Sequence, residues 1–126
     1  MHVLVIEPDR LQAELIQMAL RRSGRTTRHA VSAQSAVQAI DERTPDIVIL
    51  ELQLPRHNGV EFLYEFRSYP EWLQIPIIIY SYTPLRELAQ AATLYHELGV
   101  VQVLYKPETS LAALCAAVVK TESATV

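Results

Sequence analysis

The sequence predicts one α/β domain of the doubly wound (βα)5 type, with a parallel five-stranded sheet in the order 2-1-3-4-5. Three observations lead there. Aliphatic runs alternate along the chain with segments whose apolar residues recur at helical spacing. Three of those runs, residues 3–6, 47–50 and 77–79, show no polar alternation, which marks strands covered on both faces and therefore central. The connections are short, and right-handed crossovers between parallel strands then make this order the natural solution.

The first strand, residues 3–6, begins straight after Met1, leaving no room for a signal peptide, and ends at Glu7 before Pro8-Asp9. Asp9 is placed to cap the next helix, which is expected to turn Leu11, Leu15, Met18 and Ala19 inward and to stop near Gly24. Residues 26–31 form a more polar strand, suited to an edge. Ala33, Ala36, Val37 and Ile40 set the second helix, and Pro45 closes that unit. The third strand stops at Glu51; Leu54-Pro55 and Asn58-Gly59 punctuate a turn, and Val60, Phe62, Leu63 and Phe66 line the third helix.

Residues 69–74 read as a loop in which Trp72 covers the edge of the core. Residues 75–80 give the fourth strand, with Ser81 just past it. Leu85, Leu88, Ala92 and Tyr95 suggest the fourth helix, which Gly99 ends. The fifth strand, 101–104, leads into Tyr105-Lys106-Pro107, and Leu111, Leu114, Cys115, Val118 and Val119 set the fifth helix. The domain is thus expected to span 1–120, with 121–126 as a polar tail.

Composition narrows the function. Half of the 126 residues are hydrophobic and 20% are charged, which belongs to a folded domain rather than a disordered one. A net charge of -3 gives no general attraction to nucleic acid or to anionic membranes. The nearest approach to a basic patch is Arg21, Arg22, Arg25 and Arg28, which reads as a solvated helix end meeting the helix dipole. The single cysteine, Cys115, forms no internal disulfide, suits a cytoplasmic setting and falls on a helix face, where a buried thiol is expected. His57 lies in the loop after Glu51, and neither His2, His29 nor His96 shares a metal-ligand spacing with it, so it reads as an exposed loop histidine.

In this topology the carboxyl ends of strands one, three, four and five share one edge, where open α/β sheets place their chemistry. That rim collects Glu7 with Asp9, Glu51, Ser81 and Lys106. Taken alone, Glu51 is also compatible with a strand-end acid pointing into water. Acids, a hydroxyl and an ammonium converging on one rim point instead to a site.

These residues, together with the runs 3–7, 45–59 and 76–81 and the Leu98-Gly99 and Lys106-Pro107 pairs, resemble the receiver domain of two-component response regulators, a CheY-like and flavodoxin-like fold, over nearly the whole chain. The resemblance implies a phosphoacceptor position at Glu51, a phosphate-sensing hydroxyl at Ser81 and a phosphate-pairing lysine at Lys106. It also implies a divalent metal held by neighbouring acids. Two departures cut against that chemistry. The acceptor is glutamate where the family has aspartate, and the second member of the acidic pair after strand one is Pro8, which offers no side-chain oxygen. Only Glu51 and the carbonyl of Gln53 remain as vestigial metal ligands, with Glu7 as an outer helper and Asp9 as a distant substitute. Mg²⁺ demands near-octahedral oxygen geometry, so its binding is expected to be weak or absent and no cofactor is expected.

Phosphoryl transfer rests on positioning and on charge neutralisation by the metal, and a misplacement of about 1 Å can cost on the order of a hundredfold. The chain therefore reads as a non-enzymatic pseudo-receiver, not phosphorylated, either held in an active-like state by a Glu51–Lys106 contact or simply degenerate. The site that usually bears an aromatic switch residue is Val103; Tyr82 and Tyr105 lie near it but do not occupy it. Output is expected through protein contacts or self-association on the face of helix four, strand five and helix five, roughly residues 84–120, with no nucleic acid or membrane partner for this chain. Two other readings stay open: a working phosphorelay receiver with a compromised Mg²⁺ site, and a flavodoxin-like cofactor binder or hydrolase. Against the latter, the loop after Ile6 carries no glycine-rich phosphate cradle, and no Ser–His–Asp or Cys–His set assembles at the rim.

Overall fold

The computed structural model describes residues 1–88 and 91–124. Among them strands and helices alternate: β1 His2–Ile6, α1 Arg10–Arg22, β2 Thr26–Ala30, α2 Ala33–Glu42, β3 Ile47–Leu50, α3 Gly59–Arg67, β4 Ile77–Ser81, α4 Ala91–His96, β5 Val100–Tyr105 and α5 Leu111–Ala124. The strands form one parallel sheet in the order β2-β1-β3-β4-β5, as the sequence predicts. Successive residues of a strand point to opposite faces, so the aliphatic runs feed two cores. Leu4, Ile6, Val48, Leu50, Ile77 and Ile79 pack with Ile40, Phe62, Leu63 and Phe66 on one side. Val3, Val5, Ile47, Ile49 and Ile78 pack with Ile16, Leu20, Leu114 and Val118 on the other. Strands without polar alternation are the ones buried between these two layers.

Helix rotation departs from expectation at three places. In α1 the inward residues are Ala13, Ile16, Gln17 and Leu20, whereas Leu11 is 71% exposed and Leu15 and Met18 also face outward. Both sets have helical spacing. The Asp9 carboxylate accepts from the amides of Leu11 and Gln12 and fixes where the helix begins, and Gln17 goes inward because its amide oxygen receives Arg21 and Thr27. Around α4, Leu85 and Leu88 belong to a 3-10 turn (Leu85–Glu87) and its end; Leu94 is the buried helical residue, Ala92 and Tyr95 are exposed, and Ala89 and Gln90 lie outside the described residues. In α5 the inner face is Leu114, Ala117, Val118 and Thr121, with Leu111 and Cys115 half-buried beside it; Val119, one residue from Val118, points out.

The expected polar tail is also corrected. Residues 121–124 continue α5, with Thr121 buried and its hydroxyl donating to the Ala117 carbonyl at 2.8 Å. Glu122 pairs with Arg25, which itself reaches back to the Ser23 carbonyl, so the last turn is fastened to the start of β2. Thr125 and Val126 lie outside the described residues. The arginines read as a solvated helix end are thus partly spoken for: Arg28 pairs with Glu42 at 2.8 Å, and Arg21 donates to Thr27.

Trp72 is buried, its ring 5.6 Å from that of Phe66 and 4.4 Å from that of Tyr69. Beside it, the Arg67 guanidinium donates to the carbonyls of Leu98 (2.9 Å), Trp72 (2.7 Å) and Ile75 (2.7 Å). Burial holds the Arg67 pKa below its usual value. A fork of donors spread over separate acceptors is what a guanidinium, and not an ammonium, can provide.

Candidate functional site

Four of the five strand ends each contribute one polar side chain to the rim. Glu7 follows β1, Glu51 follows β3, Ser81 ends β4, and Lys106 opens a 3-10 turn (Lys106–Glu108) directly after β5. The chain can fold back tightly after Glu51 because Gly59 has no side chain: a Cβ there would stand 2.7 Å from the Leu52 Cα. Its amide donates to the Leu52 carbonyl at 2.7 Å, closing the loop that carries Glu51.

The four side chains form one hydrogen-bonded cluster. Lys106 Nζ donates to Glu51 Oε1 at 2.8 Å and also to Glu7 Oε1. Ser81 Oγ donates to Glu51 Oε2, which also accepts from the Gln53 amide at 3.1 Å. The Tyr82 amide donates to Glu51 Oε1 at 3.3 Å. Both oxygens of Glu51 are therefore taken by four donors, two from side chains and two from the backbone. The side chains of Glu7, Glu51 and Lys106 are each 3% exposed.

Burial pushes the Glu51 carboxyl up, but the hydrogen bonds from Lys106, Ser81 and the Gln53 amide outweigh it and hold its pKa below the usual value. Burial likewise pushes Lys106 down, and its bonds to Glu51 and Glu7 win, so its pKa lies above the usual value. The directions for Glu51 and Lys106 both favour the charged pair, an ammonium on a carboxylate rather than a poised acid–base pair.

The remaining expected residues lie around the cluster. The Asp9 carboxylate caps α1, and only its backbone amide reaches in, donating to Glu7 Oε2 at 3.0 Å. The Gln53 side chain is outside the cluster and donates to Thr83 Oγ1 at 3.1 Å. His57 is exposed, 3.2 Å from Glu61. Val103 is half-buried against the core, so no aromatic ring occupies its position. Three contributors escaped sequence reasoning: the backbone amides of Gln53 and Tyr82, which have no sequence signature, and the Tyr82 ring, 4.8 Å from Lys106 Nζ.

Residues 3–119 match the response regulator receiver domain. The chain belongs to that family. A protein of Escherichia coli, the Regulator of RpoS, is 29% identical over 110 residues, which cover 86% of this receiver and 31% of that protein. The protein-glutamate methylesterase/protein-glutamine glutaminase of Treponema denticola is 28% identical over 110 residues, covering 86% of this chain and 29% of its own length. The receiver thus spans about a third of the length of the curated relatives it matches. Among solved structures, the chemotaxis response regulator CheY4 of Vibrio cholerae superposes with a TM-score of 0.83 at 18% identity, over 94% of this chain and 96% of that one. The signal receiver domain of a histidine kinase from Syntrophus aciditrophicus gives a TM-score of 0.82 at 22% identity, over 98% and 90%. At these identities the structures speak for the fold alone, and membership of the receiver family rests on the match over residues 3–119.

The divalent ion that receivers bind does not fit the residues present. Pro8, beside Glu7, offers no side-chain oxygen, and the Lys106 ammonium already sits between the carboxylates of Glu7 and Glu51. Among the described residues no three His, Cys, Asp or Glu side chains are grouped so that they could hold a metal ion. No helix among them is long and apolar enough to cross a membrane.

Proposed function

We propose that this receiver is a pseudo-receiver: a cytoplasmic two-component signalling module that takes no phosphoryl group on Glu51 and acts through protein contacts in a fixed, active-like state. One observation carries the reading. The two oxygens of Glu51 already engage Ser81, Lys106 and the amides of Gln53 and Tyr82, so the longer acid takes up the donors that an added phosphoryl group would need. A carboxylate so engaged is a poor nucleophile, and the Lys106 ammonium between Glu7 and Glu51 leaves their carboxylates poorly disposed to hold a divalent ion. The α4, β5 and α5 face is the proposed output surface, for a protein partner or a second copy.

Intact mass after incubation with acetyl phosphate and Mg²⁺ tests the first half of the proposal. No phosphoryl adduct is expected. A stoichiometric adduct that disappears in Glu51→Gln would sink it. The fixed-state half is tested by light scattering of wild type, Glu51→Gln and Lys106→Ala. Self-association should differ between wild type and the variants, and identical behaviour in all three would mean that Glu51 sets no state.

A further inference from the structure

Three charged side chains at the open rim of a sheet would ordinarily be wet, yet those of Glu7, Glu51 and Lys106 are 3% exposed. Two tyrosine rings lie over the ammonium: that of Tyr80, buried on β4 and 5.7 Å from Lys106 Nζ, and on the solvent side that of Tyr82. Tyr82 lies with its ring 4.8 Å from Lys106 Nζ, within the range of a cation–π contact. Its hydroxyl accepts a hydrogen bond at 2.7 Å from Gln12 Nε2, on α1 and seventy positions away in sequence. Its own amide is held by Glu51, and the next residue is fastened twice, its amide donating to Ser81 Oγ at 3.0 Å and its hydroxyl accepting from Gln53. Tyr82 is itself 48% exposed: one side of the residue faces water and the other faces the ammonium. Tyr82 belongs to neither of the two apolar cores.

We infer that Tyr82, clamped by Gln12, is a lid that seals the Glu51–Lys106 pocket against solutes. The inference is independent of the fixed-state reading, since a pocket can be sealed whether or not Glu51 biases partner binding. Its consequence is that α1 controls access. When Gln12 lets go, the ring loses its hydrogen bond to α1 and is free to swing away from Lys106. Small acylating reagents, phosphodonors and hydrated cations are the solutes excluded.

The chain carries only two lysines, Lys106 and the exposed Lys120, so each molecule holds its own reference. Folded protein is treated briefly with the N-hydroxysuccinimide ester of acetic acid, and the ratio of acetylation at Lys106 to that at Lys120 is read by peptide mass mapping. The ratio is expected to be far below one in wild type. Losing the ring contact and the hydrogen bond in Tyr82→Ala should raise it on the order of tenfold, and Gln12→Ala and Tyr82→Phe, each losing only the hydrogen bond, should raise it by less. Alkylation of the half-buried Cys115 serves as the control for general loosening and should stay unchanged.

Two results would overturn the lid. One is a ratio in Tyr82→Ala equal to that of wild type while Glu51→Gln raises it, which would mean that ion pairing alone protects Lys106. The other is a rise in Tyr82→Ala matched by an equal rise at Cys115, which would mean that the whole fold has loosened. Neither result bears on acetyl phosphate labelling of wild type, so the lid and the pseudo-receiver reading fail separately.

Discussion

Replacing Lys106 with Met keeps much of the side chain's volume but strands two carboxylates. Glu7 retains the Asp9 amide, and Glu51 retains Ser81 and the amides of Gln53 and Tyr82, but neither keeps a counter-charge. Removing one partner of a buried ion pair costs about 3–5 kcal/mol, against about 5–15 kcal/mol of total stability for a domain. The variant should therefore still fold, with a urea midpoint lower by on the order of 2 M if the slope is about 2 kcal/mol per M. Trp72, the single tryptophan and buried beside Phe66, reports the transition by fluorescence.

The pH dependence sharpens the test. In wild type the Glu51 pKa lies below its unfolded value, so its contribution is present above about pH 4.5 and is lost as the pH falls through the folded value. Without Lys106, burial weighs more heavily on Glu51 and drives its carboxyl upward, so the folded variant takes up a proton that the unfolded chain does not. Its deficit relative to wild type should then narrow between pH 7 and about pH 5. A loss below about 1 kcal/mol at pH 7, the size of a surface pair, would refute the reasoning, as would a deficit unchanged by acid.

Three further outcomes are expected. Arg67→Ala should lose about 3 kcal/mol by urea titration, since charged hydrogen bonds are worth roughly 1.5–3 kcal/mol each and are not additive; Arg67→Lys should fail to rescue it, because one ammonium cannot span the three carbonyls. His2 is buried, and burial, then Arg43, hold its pKa below the usual value against the opposing pull of Asp46, with Arg28 and the N-terminus also lowering it. A folded-state value below the unfolded one means that stability falls as acid carries the unfolded histidine through about pH 6.5; a thermal-melt series from pH 7.5 to 5.5 should show a shallower slope for His2→Asn. Arg25→Ala should cost about 1 kcal/mol or less and quicken amide exchange in residues 119–124 relative to 113–118, while equal exchange in both stretches would mean that Glu122 does not hold the last turn.

What the sequence disclosed follows from how each signal arises. The sheet order was legible because three wholly aliphatic runs and short links leave the chain few ways to cover both faces. The rim was legible because strand ends are fixed by topology, so Glu7, Glu51, Ser81 and Lys106 could be brought together without coordinates. Helix rotation was not, because α1 carries two apolar stripes of equal spacing, and the choice between Leu11/Leu15/Met18 and Ala13/Ile16/Leu20 depends on a cap and on partners for Gln17. The same ambiguity separates Val118 from Val119. The continuation of α5 was hidden because Thr, Glu and Ser read as solvent-facing until Arg25 and the Ala117 carbonyl supply their partners. Backbone donors and the Gln12–Tyr82 link carry no pattern in a single sequence.

The guanidinium of Arg67 bears on how the output side of the molecule can change shape. It ties the carbonyls of Leu98, Trp72 and Ile75 into one knot, while at the other end Ser81 is bound to Glu51. The described residues 81–88 and 91–98 are thus held at Ser81 and at Leu98. A partner docking there would meet a surface held at both of these points, with Leu94 buried beneath it.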